Sequence, residues 1–109
     1  MGLPAIGSVV VVSFPFSDFS GHKKRPALVI AHAEFNNLIV CQITSKEATS
    51  MRAIKLSVHD FLSGSLRARS YIRPDKIFTL EPSVVLSKVG FITPPKLVEV
   101  KHALSSLFG

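Results

Sequence analysis

Four consecutive valines, Val9–Val12, lie near the start of this chain and limit the folds open to it. Consecutive β-branched residues favour extended backbone, and the valine-rich segment Ile6–Phe14 that contains them is bounded by Gly7 and Pro15, so it predicts a β-strand. Because a valine run has no polar face, we expect this strand to be buried on both faces or to lie along a contact between subunits.

Further short apolar runs predict more strands with turns between them. Pro26–Ala31 and Leu38–Thr44 are separated by the turn-prone pair Asn36 and Asn37, which favours a hairpin. Ile54–Val58 alternates apolar with polar residues, the period of a half-exposed strand. Residues 15–24, which are basic at their far end, and residues 63–70 are rich in turn-formers and predict loops.

The last third of the chain predicts two interrupted strands and one helix. Tyr71–Arg73 and Lys76–Leu80 are separated by Pro74, which cannot donate to a sheet, so we expect a bulge or an edge there. Thr93 is a suitable N-cap and Pro94 suits the first helical position. The apolar residues that follow share one stripe of a 3.6-residue period and are expected to pack on the sheet: Leu97, Val100, Leu104, Leu107 and Phe108. Five to seven strands and one C-terminal α-helix predict a mainly β fold, a small barrel forming a single domain over residues 1–109.

Composition and motifs exclude several functions. The 109 residues include 13 Lys+Arg against 7 Asp+Glu, a formal net charge of +6, and 47% are hydrophobic, so the chain is neither disordered nor acidic. A lone Cys41 cannot form a disulfide within the chain and suits a cytoplasmic location. No apolar stretch has the roughly 20 residues of a membrane span, and no signal peptide is recognisable. The four histidines are scattered and no phosphate-binding glycine loop or nucleophile elbow occurs, so we expect no metal and no cofactor.

Basic and hydroxyl side chains remain at the predicted strand ends. They are Lys23, Lys24, Arg25, Thr44, Ser45, Ser70 and Arg73, with Asp75 beside them. Cleavage of RNA needs a base for the 2′-hydroxyl proton and donors for the phosphorane, and arginine matches phosphate oxygens. On composition alone, ordinary surface charges at strand ends are the competing interpretation.

Four segments occur in a characteristic order: GSVVVVSFPFSDFSGHKKRPALVI (Gly7–Ile30), CQITSK (Cys41–Lys46), SYIRPDKIFTL (Ser70–Leu80) and SKVGFI (Ser87–Ile92). With the helical tail, they resemble the PemK/Kid/MazF family of toxin endoribonucleases. Ser8 departs from the acidic residue that the family often has after the glycine. The resemblance implies an SH3-like, CcdB/MazF-like antiparallel barrel that forms a homodimer.

The resemblance also implies an activity. The expected protein is the toxin of a type II toxin-antitoxin system, a metal-independent endoribonuclease that cuts single-stranded mRNA at a short sequence and is silenced by a cognate acidic antitoxin. Its transesterification leaves a 2′,3′-cyclic phosphate and a 5′-hydroxyl. Arg25 and Thr44 match one pair of active-site positions of the family, and Arg73 and Asp75 match another. Chemically, Asp75 suits the proton acceptor if Arg73 keeps it ionised, and Arg25 and Thr44 suit phosphate binding.

A second set of residues is expected to contact RNA. Phe16 and Phe19 are suited to base stacking or to core packing, whereas Phe14, Tyr71 and Phe78 are expected in the core. His22 either titrates near the site or faces solvent. The remaining candidates, for RNA or in part for the antitoxin, are Lys23, Lys24, Ser45, Lys46, Arg67, Arg69 and Ser70. Because fold does not decide function, a CcdB-like gyrase inhibitor or an inactive nucleic-acid-binding barrel stays the alternative.

Overall fold

The computed structural model describes residues 3–15, 22–46 and 52–109. Within them, seven β-strands form one antiparallel sheet in the order β4-β6-β3-β2-β1-β7-β5. The strands are β1 (Ser8–Pro15), β2 (His22–His32), β3 (Leu38–Thr44), β4 (Ile54–Leu56), β5 (Phe61–Gly64), β6 (Ser70–Leu80) and β7 (Val85–Ile92), and α1 (Pro94–Leu107) follows. The mainly β prediction with a C-terminal helix is confirmed.

Both faces of the central strands are apolar. On one face, Val9, Leu28 and Ile43 belong to a core that α1 covers through Val100. On the other face, Val10 and its neighbours form a second core that also contains Val12, Ala27, Val29 and Val40. Val9, Val10 and Val12 are fully buried and Val11 is partly buried, so the chain itself provides burial on both faces, one of the two predicted situations.

The sheet is curled into a half-barrel. Phe14 on β1 and Phe78 on β6 have ring centroids 5.0 Å apart, although β2 and β3 lie between those strands in the sheet. Flat strands about 4.8 Å apart would hold these rings much farther from each other. Phe14 is in the core as predicted, whereas the prediction for Phe78 is wrong, since it stays 38% exposed.

A bulge interrupts the pairing of β6 with β3. Gln42 pairs with Arg73, but Cys41 pairs with Ile77, so residues 74–76 lie outside the ladder. Pro74 is fully buried at this point. The predicted break is confirmed, but it lies inside one continuous strand instead of separating two.

The helix begins as the sequence predicts. The Thr93 hydroxyl oxygen accepts a hydrogen bond from the backbone N–H of Lys96 at 3.4 Å, and Pro94 is the first helical residue. Val100 is fully buried, but Phe108 lies past the last helical residue and is 77% exposed, so it does not pack on the sheet.

Other boundaries differ from the prediction. Strand β2 starts at His22 because residues 22–24 pair with the end of β1, so the prediction that residues 22–24 lie in a loop is wrong. Phe61–Gly64 was expected to lead into a loop, yet it pairs with β7, which the residue pattern did not predict. Strand β4 stops at Leu56, where Asp60 accepts hydrogen bonds from Ser57 and closes a 3-10 turn. Among the described residues, no helix is long and apolar enough to cross a membrane.

Replacing Gly64 with alanine is expected to lower the free energy of unfolding by more than about 2 kcal/mol. Gly64 has φ +71°, and an added Cβ would lie 2.0 Å from the Val89 carbonyl oxygen, which is backbone and has little room to move. The measurement is urea unfolding followed by circular dichroism. Gly109→Ala is the control, because nothing lies within 4 Å of its added Cβ. Equal unfolding midpoints for the two variants would contradict this account of the β5–β7 contact.

Candidate active site

Arg25 and Thr44 lie on adjacent strands, β2 and β3. The ladder between these strands pairs Ala27 with Gln42, and the same antiparallel register continued by two residues sets Arg25 opposite Thr44. Side chains two residues apart share a face, so both belong to the face that carries Ala27 and Gln42. The apolar second core thus passes into a polar end at Arg25 and Thr44.

Thr44 is held in an orientation that suits hydrogen-bond donation. It is 7% exposed, and its hydroxyl oxygen accepts a hydrogen bond from the backbone N–H of Lys46 at 3.2 Å. Because that bond uses a lone pair of the oxygen, the hydroxyl proton can be donated elsewhere. Arg25 is half-buried, and its Nε is buried within the fold.

Arg73 and Asp75 form a two-bond ion pair across the β6 bulge. Nε of Arg73 donates to Oδ1 of Asp75 at 2.9 Å, and a terminal guanidinium nitrogen donates to Oδ2 at 2.7 Å. The hydrogen bonds from Arg73 hold the pKa of Asp75 below its usual value, and those to Asp75 raise the pKa of Arg73. Asp75 is therefore ionised at neutral pH.

Cys41 lies opposite the bulge but is unsuited to nucleophilic chemistry. Burial raises the pKa of its thiol to about 12, and the negative charge of Asp75 contributes to the increase. The thiol is fully buried and stays protonated at neutral pH.

Tyr71 and Lys55 extend the row of residues across the sheet. Tyr71 pairs with Thr44 on one side and with Lys55 on the other, so positions 25, 44, 71 and 55 form one line across four strands. Tyr71 is buried as predicted. Sequence reasoning did not connect Lys55 with the site, because the pairing of β4 with β6 is long-range and leaves no local signal.

The predicted RNA-contact residues divide into several groups. Lys23 and Lys24 are exposed in β2, and alternation places Lys23 on the face of Arg25 and Lys24 on the opposite face. Ser45 and Lys46 are exposed just after β3, beside Thr44.

The other candidates lie at the start of β6 or just before it, and the next residue of β6, Tyr71, pairs with Thr44. Arg67 and Arg69 are exposed and line a cleft beside β4. Ser70 is 4% exposed, and its hydroxyl donates to the Ala68 carbonyl at 2.9 Å, so it supports the loop instead of facing a ligand. Phe16 and Phe19 lie outside the described residues, and of His22 only the backbone is described.

A profile of the family described as PemK-like, MazF-like toxin of type II toxin-antitoxin system matches residues 6–108. The chain belongs to this toxin family. No curated protein matches the toxin by sequence.

Solved structures show the same fold. MazF from Deinococcus radiodurans (Form-I) superposes on the toxin with a TM-score of 0.77 at 23% identity, covering 100% of this chain and 99% of that one. MazF in the MazE-MazF crystal (Form-II) of the same organism gives 0.77 at 25% identity, covering 100% and 98%. An endoribonuclease from Mycobacterial species, solved with its cognate antitoxin, gives 0.74 at 18% identity, covering 100% and 96%. The toxin thus has the MazF-like fold.

We expect the Arg73–Asp75 ion pair to make a pH-dependent contribution to the free energy of unfolding of the toxin. Because the pKa of Asp75 is lowered in the folded state, the contribution is complete above the unfolded pKa, near 3.8, and is lost as the pH falls through the lower folded value. Wild type should exceed Asp75→Asn in free energy of unfolding by about 0.5–1 kcal/mol at pH 5–7. The difference should shrink below about pH 4, as measured by urea unfolding. A difference that changes near pH 6 would show that another group is responsible.

Proposed function

We propose that this toxin is a sequence-specific endoribonuclease that acts on single-stranded mRNA in the cytoplasm and needs no metal. The observation that best supports this is the placement of Arg25 opposite Thr44 on adjacent strands. Arg73, which forms the ion pair with Asp75, pairs with Gln42, two residues before Thr44 on β3. A partly buried guanidinium group and a hydroxyl donor on one face suit the two free oxygens of a phosphodiester.

Transesterification assigns a role to each group. The 2′-oxygen of the ribose attacks phosphorus, the bond from phosphorus to the 5′-oxygen breaks, and a 2′,3′-cyclic phosphate forms. Arg25 and Thr44 stabilise the additional negative charge of the phosphorane. Asp75, ionised by its bonds to Arg73, takes the 2′-hydroxyl proton, and solvent protonates the departing 5′-oxygen. The lowered pKa of Asp75 makes it a weak base, so most of the rate enhancement is assigned to phosphate binding and geometry.

Incubation of the toxin with unstructured RNA in EDTA is expected to give fragments with 5′-hydroxyl ends and cyclic phosphates. Arg25→Ala should lower the cleavage rate about 100-fold or more, because it removes a charged donor to the phosphorane. Arg25→Lys keeps the charge but loses the planar guanidinium group, so its cleavage rate should lie between those of the wild type and Arg25→Ala. The readout is 5′-end labelling with and without prior phosphatase treatment.

Lys101→Ala is the matched control, since Lys101 is an exposed cation on α1. It should cleave like the wild type. Intact RNA with folded wild-type toxin, or inhibition of gyrase without RNA cleavage, would contradict the proposal.

We also propose that the toxin forms a homodimer and binds an acidic antitoxin that competes with RNA. Structural neighbours include MazE-MazF crystals from Deinococcus radiodurans. Lys23 and Lys24 are exposed at the start of the strand that carries Arg25, and the whole chain has a net charge of +6. An acidic peptide is the complement of this surface.

Sedimentation velocity with a labelled, non-cleavable 2′-deoxy oligonucleotide tests both statements. The toxin at micromolar concentration should sediment as a dimer with bound oligonucleotide, and the antitoxin should increase the mass of the toxin while releasing the oligonucleotide. The double variant Lys23→Glu/Lys24→Glu should lower the affinity for both the oligonucleotide and the antitoxin about 10-fold or more, because it reverses two charges. A monomer, or a complex holding antitoxin and oligonucleotide together, would overturn the corresponding statement.

A further inference from the structure

Tyr71, the single tyrosine of the chain, lies in the middle of the row that carries the candidate site. It pairs with Thr44 of β3 on one side and with Lys55 of β4 on the other. Directly paired residues of antiparallel strands have their Cβ atoms about 5 Å apart, on one face of the sheet. The phenol group therefore starts beside the Thr44 hydroxyl, on the face that also carries Arg25.

The ring of Tyr71 is buried, but it belongs to neither apolar core of the described residues. The adjacent pair of the ladder, Ile43 with Ile72, lies in the first core, on the opposite face. On the face of Tyr71, the next side chain along β6 is Arg73, because side chains two residues apart share a face. Tyr71 thus lies at the polar end of the second core, among the residues of the candidate site.

The hydroxyl of Tyr71 is open to solvent although the ring is buried. The residue is 8% exposed, so the ring offers little surface for stacking. Within residues 3–15, 22–46 and 52–109 the hydroxyl makes no hydrogen bond, and it is not enclosed. Buried tyrosines usually bond their hydroxyl to a partner. An open hydroxyl on a buried ring indicates a donor for a ligand.

Transesterification needs a proton donor for the departing 5′-oxygen, and other groups of the site are unsuited to that step. Arg25 and Arg73 keep their protons, because a guanidinium group is not deprotonated in proteins. Asp75 is ionised and has no proton to give. Beyond the threonine hydroxyl, which is assigned to the phosphorane, the next donor along the row is the phenol of Tyr71. The ammonium of Lys55 lies on the strand beyond it.

Tyr71 and Asp75 lie on opposite sides of Arg73 along β6. In a displacement at phosphorus, the entering and departing oxygens lie roughly in line, on opposite sides of the phosphorus atom. An acceptor for the 2′-hydroxyl proton and a donor for the 5′-oxygen must therefore approach from opposite sides. Asp75 is held 2.7 Å from Arg73 on one side, and Tyr71 lies two residues away on the other, as this order requires.

We propose that Tyr71 is a catalytic residue that protonates the departing 5′-oxygen. As the bond from phosphorus to the 5′-oxygen breaks, the Tyr71 O–H proton transfers to that oxygen and gives the 5′-hydroxyl. The phenolate then takes a proton from solvent, so solvent protonates the 5′-oxygen through Tyr71. Asp75 releases the 2′-hydroxyl proton to solvent, and no net proton is consumed. The inference rests on the proposed endoribonuclease function and names the donor for one of its steps.

Tyr71→Phe tests this role because it keeps the ring and removes only the hydroxyl. On a single-stranded RNA that the wild type cleaves, kcat should fall about 100-fold with KM unchanged, since a general acid acts in the transition state. The urea unfolding midpoint should stay that of the wild type, because no hydrogen bond is lost. Thr79→Val is the matched control: it removes an exposed hydroxyl at the far end of β6 and should cleave like the wild type.

A substrate with sulfur in place of the bridging 5′-oxygen isolates the proton transfer. A thiolate leaves without a proton, because thiols ionise at about pH 8.5, far more readily than alcohols. Tyr71→Phe should cleave this substrate within about 2-fold of the wild-type rate. Arg25→Ala should stay about 100-fold slower than the wild type on the same substrate, because the charge on the free phosphorane oxygens still needs a donor.

The two substrates separate failure of this inference from failure of the proposed function. Equal losses for Tyr71→Phe on both substrates, a raised KM with unchanged kcat, or no loss at all overturns the role of Tyr71. Wild-type toxin that cleaves neither substrate refutes the proposed function itself. A lower unfolding midpoint of Tyr71→Phe leaves the test decisive, because the ratio of the two rates is measured on the same folded variant.

Discussion

The candidate site depends on the register of β3 with its two neighbours. Arg25 reaches the position opposite Thr44 only because Ala27 pairs with Gln42, and Arg73 faces the same side only because it pairs with Gln42. A shift of one residue in either ladder would turn the shifted side chains to the opposite face. Because both faces of β3 are apolar, hydrophobic alternation alone does not define this register, and packing of the two cores must select it.

The β6 bulge links this register to the chemistry. It takes residues 74–76 out of the ladder, buries Pro74 and brings the Asp75 carboxylate within 2.7 Å of the Arg73 guanidinium. Regular pleating would also set residues 73 and 75 on one face, but it would give each a partner across the ladder. The bulge leaves Asp75 without a cross-strand partner, so its carboxylate is oriented by Arg73.

Local signals in the sequence account for the elements they control. Leu38–Thr44 was predicted with its observed bounds, and the Pro74 break and the Thr93–Pro94 helix start were also predicted. Strands β5 and β7 were missed because neither has clear apolar alternation and each is stabilised by pairing with distant segments. The same reason applies to the site. The proximity of Arg73 and Asp75 could be predicted because they lie two residues apart on one strand, whereas Lys55 lies beside Tyr71 only because distant strands pair.

Part of the positive charge of this chain, which has a net charge of +6, is neutralised by ion pairs within the fold. Of the acidic side chains within residues 3–15, 22–46 and 52–109, Asp75 is bonded to Arg73, and Asp60 and Glu99 lie against Lys96. These carboxylates neutralise Arg73 and Lys96, whereas Lys55, Arg67 and Arg69 are exposed at the β4 cleft. Exposed cations at this cleft attract a polyanion more strongly than the ion-paired part of the surface does.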